Sequence, residues 1–420
     1  MKKVLWLTNV PLSKVKKDIQ TSSVQMGGWL DGISNTLIKK GNIELISIFP
    51  FSRNCGGSVE KIKYCSFING SKDKQQIEFF KKIILENKPQ VVHIFGTEYK
   101  HTLNMMEACK QLNMLDNVVI SIQGLCSICA QKYESGLPKS IVNSFTLRDL
   151  LRFDNISLQK KKYENRGKFE IESLKIAKNV IGRTDWDFAC TNQINDNLNY
   201  YFCNETLRDS FYKSRWNIET CEKKSIFLSQ CNYPIKGFHK FLEALKIIVK
   251  KYPDVKVYTT GKNILDLKFK DRLKLNTYQR YLIKQIKKNK LENNITFLGF
   301  LDEENMCKSY LRANCFVSCS SIENSPNSVG EAMLLGVPTI SSDVGGVKNM
   351  LKHNEEGFIY PFDETYMLAH YIMKIFEDNK LAKTISKNAQ KHALETHNKD
   401  KNFETLMKIY EDISLKEDNE

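Results

Sequence analysis

A chain of 420 residues, 41% hydrophobic and 26% charged, has the composition of an ordinary globular protein and the length for two cores of roughly 200 residues each. No apolar run approaches the roughly 20 residues that cross a bilayer, which excludes a membrane-spanning chain. Lys and Arg number 63 against 48 Asp and Glu, a formal charge of +15 that favours an anionic partner: nucleic acid, lipid headgroups or a phosphorylated small molecule.

The opening MKKVLWLTNV superficially suggests a signal peptide, but its apolar run stops at Thr8 without a small-residue cleavage site, so residues 4–8 are predicted as a buried strand. A long loop then leads to MGGWLDGISNTLIKK, where Trp29, Leu30, Ile33, Leu37 and Ile38 recur at helical spacing. Strands are predicted at 43–49, 91–95, 118–122 and 179–184, alternating with helices near 77–85 and 102–112, and a polar helical stretch fills 139–178. Such alternation implies a parallel sheet covered on both faces. The less regular residues 192–223 are taken as the connection to a second alternating series. Its strands fall at 225–229, 255–259, 295–298, 315–319, 339–341 and 357–360, and two helices close the chain. Ligands of such sheets bind at the carboxyl ends of strands, here in the cleft between domains.

The 12 cysteines, without a secretory signal, suit reduced thiols, and the lone CxxC of Cys126 and Cys129 lacks the second ligand pair of a zinc site. The segment that follows the 315–319 strand, SSIENSPNSVGEAMLLGVP, carries the densest chemistry. Ser328 and Glu331 fit a capping box ahead of an apolar run ending at Gly336, which explains Glu331 but not Glu323 or the polar loop around Asn324 and Asn327. A helix starting near Ser328 offers backbone N–H groups and a partial positive charge to a phosphate. Carboxylates beside that phosphate would be repelled by it, so Glu323 and Glu331 are expected on neutral hydroxyls at either side. A nucleoside diphosphate sugar has that layout.

The setting ENSPNSVGEAMLLGVPTISSDVGG resembles the E-x7-E element of family 4 glycosyltransferases, of GT-B fold. Gly27–Gly28, VVHIFGTE (91–98), NVIGRT (179–184), YPIKG (233–237), ITFLG (295–299) and NEEGFIYP (354–361) agree in order, over nearly the whole chain. The resemblance implies an α/β protein of two Rossmann-like βα domains facing a central cleft: 1–205 on the acceptor side, with a C-terminal helix of about 398–420 crossing back to it, and 206–397 binding the nucleotide sugar. It implies that Glu331 holds the donor ribose, Glu323 the transferred sugar and Lys236 the diphosphate. Gly27 and Gly28 let backbone approach that diphosphate, the amides of Asn327 and Ser328 face it, and Phe300 and Leu301 line the nucleobase. A solvated loop lysine, a flexible glycine loop and apolar core are the competing readings of Lys236, of the glycine pair, and of Phe300 and Leu301.

Two positions depart from the pattern. Gln230 stands where the family often has an arginine, leaving Lys236 as the side-chain cation on the diphosphate, and Gln123 stands where a histidine near the reacting sugar is common. Gln hydrogen-bonds a sugar hydroxyl but does not exchange protons near neutral pH. His93 and His101 flank FGTE, with a satisfied structural role as the plainer account. The expected activity is a retaining, metal-independent hexosyl transfer from a nucleoside diphosphate sugar to a glycan or lipid-linked acceptor in surface polysaccharide biosynthesis, with no cofactor beyond the donor. A nucleotide-sugar epimerase of related architecture is the alternative. No G-x-G-x-x-G follows the first strand, which disfavours a nicotinamide enzyme, and no base-reading motif supports a nucleic-acid module. The expected setting is the cytoplasm. The basic, partly aromatic segment 152–168 suits either a solvated helix face or an anionic membrane surface at the inner leaflet.

Overall fold

The computed structural model describes residues 2–19, 21, 28–70 and 72–414. The chain forms two compact units, Met1–Ser127 with Asn165–Arg208 and His397–Glu420, and Ile128–Glu164 with Asp209–Thr396. Residues 128–164, placed by the sequence within 1–205, thus pack with the second unit. Beside buried apolar side chains such as Tyr133, Val142 and Ile156, polar side chains tie them there. Thr277 donates its amide (2.9 Å) and hydroxyl (2.5 Å) to the buried Asp149 carboxylate, His239 Nε2 donates to the Ser135 carbonyl (3.0 Å), and Ser321 Oγ donates to that of Lys132 (3.0 Å). No apolar periodicity announces such contacts.

The first unit is an eight-stranded sheet built from β1 (Lys2–Leu7), β2 (Ile43–Phe51), β3 (Gly56–Val59), β4 (Ile62–Ile68), β5 (Val91–Phe95), β6 (Val118–Ser121), β7 (Asn179–Gly182) and β8 (Asn199–Phe202). Its order is β3-β4-β2-β1-β5-β6-β7-β8, parallel except for the β3–β4 hairpin. β5 reads VVHIF and is buried throughout, as a strand covered on both faces must be. The helix Lys399–Ser414 belongs to this unit and sets Leu406, Ile409, Tyr410 and Ile413 into a core with Val4, Trp6 and Phe95. Tyr410 completes a buried polar chain: its hydroxyl accepts from Trp6 Nε1 (2.9 Å) and meets His93 Nδ1 (2.6 Å), while His93 Nε2 meets Ser121 Oγ (2.7 Å). Burial pushes His93 down to about 3, so the ring is neutral and structural.

The second unit is an all-parallel six-stranded sheet of β9 (Glu222–Leu228), β10 (Lys256–Thr259), β11 (Ile295–Phe297), β12 (Ala313–Ser318), β13 (Thr339–Ser342) and β14 (Gly357–Tyr360), in the order β11-β10-β9-β12-β13-β14. The chain winds outward from β9 in one direction, then returns to place β12 on the other side. That reversal opens a crevice beyond the carboxyl ends of β9 and β12, the usual ligand position in open parallel sheets.

Candidate donor site

A cavity of about 200 Å³ occupies this crevice, lined from β9 and its exit by Leu228, Ser229 and Gln230, and from β12 and its exit by Val317, Ser318, Cys319 and Ser320. Lys236 and Glu323 complete one wall, and Pro326, Asn327 and Ser328 another. Lys236 is delivered by a tight turn, Pro234–Lys236, that ends at Gly237 (φ 67°) before the helix Phe238–Lys251. Two bonds lock the turn to the β12 exit: Ser321 N–H donates to the Ile235 carbonyl (2.8 Å), and the Cys319 thiol to that of Lys236 (3.2 Å). A glycine is required at 237 because a Cβ there would lie 1.7 Å from the Cys319 carbonyl oxygen.

Lys236 Nζ donates to Glu323 Oε1 at 2.6 Å, and Ser320 Oγ donates to the same oxygen at 2.6 Å. The two groups expected on different parts of a donor therefore pair with each other. Lysine has three N–H donors, so this pairing leaves capacity for a second acceptor in the cavity. Glu323 is held from behind as well: Gly346 N–H donates to its carbonyl (3.2 Å), and a Cβ on Gly345 (φ 53°) would lie 1.8 Å from that oxygen.

The helix begins at Asn327, not Ser328. Asn327–Leu335 has Pro326 as its N-cap, without a side-chain cap, and ends at Gly336 in the left-handed conformation. The Ser328–Glu331 capping box is corrected accordingly, since Glu331 is the fifth helical residue, two positions deeper than the third, Val329. Proline supplies no cap because it has no hydroxyl, but its carbonyl already receives the Val329 and Gly330 amides (2.9 and 3.3 Å). The first-turn amides ahead of these, on Asn327 and Ser328, belong to residues that line the cavity. Lys236 is the cation among the lining residues, with Gln230 exposed nearby, so positive potential comes from one ammonium and a helix end.

Other expected residues lie elsewhere in the second unit. Glu331 and Asn324 are buried and do not line the cavity. Phe300 is 76% exposed and Leu301 half-buried, both just past β11 and outside the cavity lining, which rules out apolar core as the account of Phe300. Gly27 lies outside the described residues, and Gly28 is the first residue of the helix Gly28–Lys40.

Gln123 lies in the first unit. Its Nε2 donates to Glu205 Oε1 (2.9 Å), and Glu205 pairs with Arg183 (3.0 Å) around a cavity of about 30 Å³, room for roughly one water. Sequence reasoning passed over this acid and base, although Arg183 stands inside the quoted NVIGRT. It also passed over Glu98, which closes FGTE where the first sheet's order reverses between β1 and β5. His101 Nε2 donates to Asn9 Oδ1 (2.8 Å), and Asn9 Nδ2 donates to Glu98 Oε1 (3.2 Å). Burial holds His101 neutral, down to about 4. Burial, reinforced by the Glu170 charge, pushes the Glu98 carboxyl up to about 7. The folded state binds that proton more tightly than the unfolded chain, so stability falls as pH rises from about 4.5 through about 7. Glu98→Gln is expected to raise the melting temperature at pH 8 and leave it unchanged at pH 4, read by calorimetry at both values.

With this geometry in hand, the likenesses to known proteins are informative. The family model described as glycosyl transferases group 1 matches residues 209–392. "Putative glycosyltransferase YtcC" of Bacillus subtilis is 30% identical over 185 residues, 43% of each chain. The match spans less than half the length of that relative. Solved structures align over almost the whole chain: sucrose-phosphate synthase from Thermosynechococcus elongatus (TM-score 0.71, 15% identity, 98% of both chains) and Anabaena Alr3699/HepE in complex with UDP and glucose (TM-score 0.67, 16% identity, 97% of this chain and 99% of that one). The chain thus has the GT-B fold of two Rossmann-like units, and residues 209–392, within the second of them, are similar to the glycosyl transferases group 1 family.

Proposed function

We propose that the protein moves a hexose-type sugar from a nucleoside diphosphate sugar to a glycan or lipid-linked acceptor in surface polysaccharide biosynthesis, with retention at the sugar carbon. The observation that carries this reading is the Lys236–Glu323–Ser320 cluster facing the first turn of the Asn327–Leu335 helix across one cavity. Its support from outside is the likeness to a protein solved with UDP and glucose. In the proposed pose the diphosphate lies against the helix end and Lys236, Glu323 grips a sugar hydroxyl, Glu331 the ribose, and the exposed Phe300 ring, with Leu301, flanks the base. Negative charge developing on the departing phosphate oxygen is met by oriented amides and the ammonium, an electrostatic contribution that is generally the largest in such transfers. That oxygen takes the acceptor's proton itself, so Gln123 serves as a hydrogen-bonding group and no strong base or divalent ion is needed.

The test is a thermal-shift screen of nucleotide sugars, followed by product analysis with the hit donor, with and without acceptor extracts and with EDTA. Transfer or slow hydrolysis that releases the nucleoside diphosphate and is insensitive to EDTA is expected. A stereoisomer of the intact donor as the product would replace this reading with epimerisation, and loss of turnover in EDTA would overturn its metal independence.

A further inference from the structure

Residues 145–153 read FTLRDLLRF, and Phe145, Leu147, Leu150, Leu151 and Phe153 are each between 52% and 76% exposed. Single exposed leucines are ordinary, whereas this many large apolar side chains in one short segment form a patch that calls for an occupant. The helix Leu147–Arg152 is turned inside out. Its N-cap Thr146 and its Asp149 form a capping box, and the Asp149 carboxylate points inward to Thr277. Leu147, Leu150 and Leu151, spaced i, i+3 and i+4, are left as one outward stripe. Phe153 extends the stripe from a left-handed C-cap (φ 47°). Burying a carboxylate while exposing leucines is the reverse of what water alone selects.

The exposed charge of residues 132–164, the segment that carries the stripe, is mostly basic. The acids of the segment are engaged: Glu134 with Lys160 (3.1 Å), Asp154 with Arg148 (3.1 Å) and Lys162 (2.8 Å), Asp149 with Arg148 (3.1 Å). Lys132, Lys139, Arg152 and Lys161 are exposed, against the exposed acid Glu164. We propose that this helix is the docking face for an anionic lipid bilayer, with leucines and phenylalanines at the acyl boundary and the bases among the headgroups. A free anion or nucleic acid would leave the apolar stripe in water. A second copy, meeting this face with its own, would bring like charges together. No described helix is long and apolar enough to cross a membrane, so the contact lies on the bilayer surface. The inference deepens the acceptor half of the proposed function, since a lipid-linked acceptor is presented at such a surface, yet it is measured without any donor.

The test is co-sedimentation of the full chain with vesicles of phosphatidylcholine alone and of phosphatidylcholine with phosphatidylglycerol. Binding to the mixed vesicles, weak on the neutral ones, is expected. The triple substitution L150S/L151S/F153S and the charge reversal K139E/R152E/K161E should each lower the partition coefficient about tenfold or more. These side chains are exposed, so both variants should melt with the parent; if the serine variant misfolds, the charge reversal decides. Absence of parent binding, equal binding to neutral vesicles, or no effect of a folded variant would overturn the proposal. So would a concentration-dependent dimer abolished by the serine substitutions, which would assign the face to a second copy. A Lys236→Ala variant should bind vesicles as the parent does, so loss of the transfer reading leaves this measurement standing.

Discussion

Lys236→Ala is expected to lower kcat/KM for donor turnover about 100-fold or more, the scale of loss when one partner of an enclosed charge pair is removed and the other remains. Among the described residues, Glu323 Oε1 would then keep the Ser320 hydroxyl at 2.6 Å. Its uncompensated carboxylate would stand beside the place proposed for two phosphates, and the helix end alone would have to offset three anionic groups. The coupling is the sharper measurement. In the double variant Lys236→Ala/Glu323→Gln the stranded charge is gone, so its loss should be smaller than the product of the single losses. Steady-state kinetics on the four proteins gives the cycle. Parent-like turnover by Lys236→Ala would remove the lysine from the site, and strictly multiplicative losses would show that the ion pair carries no weight there.

The largest stability effect is expected at Gly237. An alanine there combines a left-handed backbone (φ 67°) with a Cβ 1.7 Å from the Cys319 carbonyl oxygen and 3.2 Å from the Phe362 ring, and a carbonyl at a strand exit cannot step aside as a flexible side chain can. Gly237→Ala should destabilise the second unit by about 3 kcal/mol or more. Gly336→Ala shares the conformation (φ 74°), but its Cβ meets the movable Ser386 hydroxyl at 2.9 Å, so about 1 kcal/mol is expected. Urea titration of the two variants separates strain from collision. Equal midpoints would mean that the Lys236 turn does not depend on this close approach.

The central strands were legible because burial on both faces writes a near-continuous apolar run. Val91–Phe95 and Gly357–Tyr360 fall where the sequence placed them, and Lys2–Leu7, Val118–Ser121 and Ala313–Ser318 within two residues at either end. The sheet margins were not. β3 reads GGSV and is largely exposed, β4 escaped notice between turns, and β8 reads NYYF at the edge, inside the stretch taken as irregular. Two terminal helices became three, Thr365–Glu377, Asn379–Thr396 and Lys399–Ser414, because the breaks between them carry no proline or glycine. At the site, Lys236, Glu323, Gln230, Asn327 and Ser328 converge from two strand exits, as the βα pattern suggested. The Lys236–Glu323 pairing was invisible, since 87 residues separate the partners and neither position is periodic with anything nearby.

The division of the chain bears on how it can be cut. The first unit takes Tyr410, from the last helix, to satisfy Trp6 and His93 near its start, while the second takes Asp149 from the first half to engage Thr277. Neither unit is a continuous stretch, so neither can be excised as a fragment with its own wiring intact. On the ribosome, the earliest strand must wait for the final helix before its buried polar chain closes.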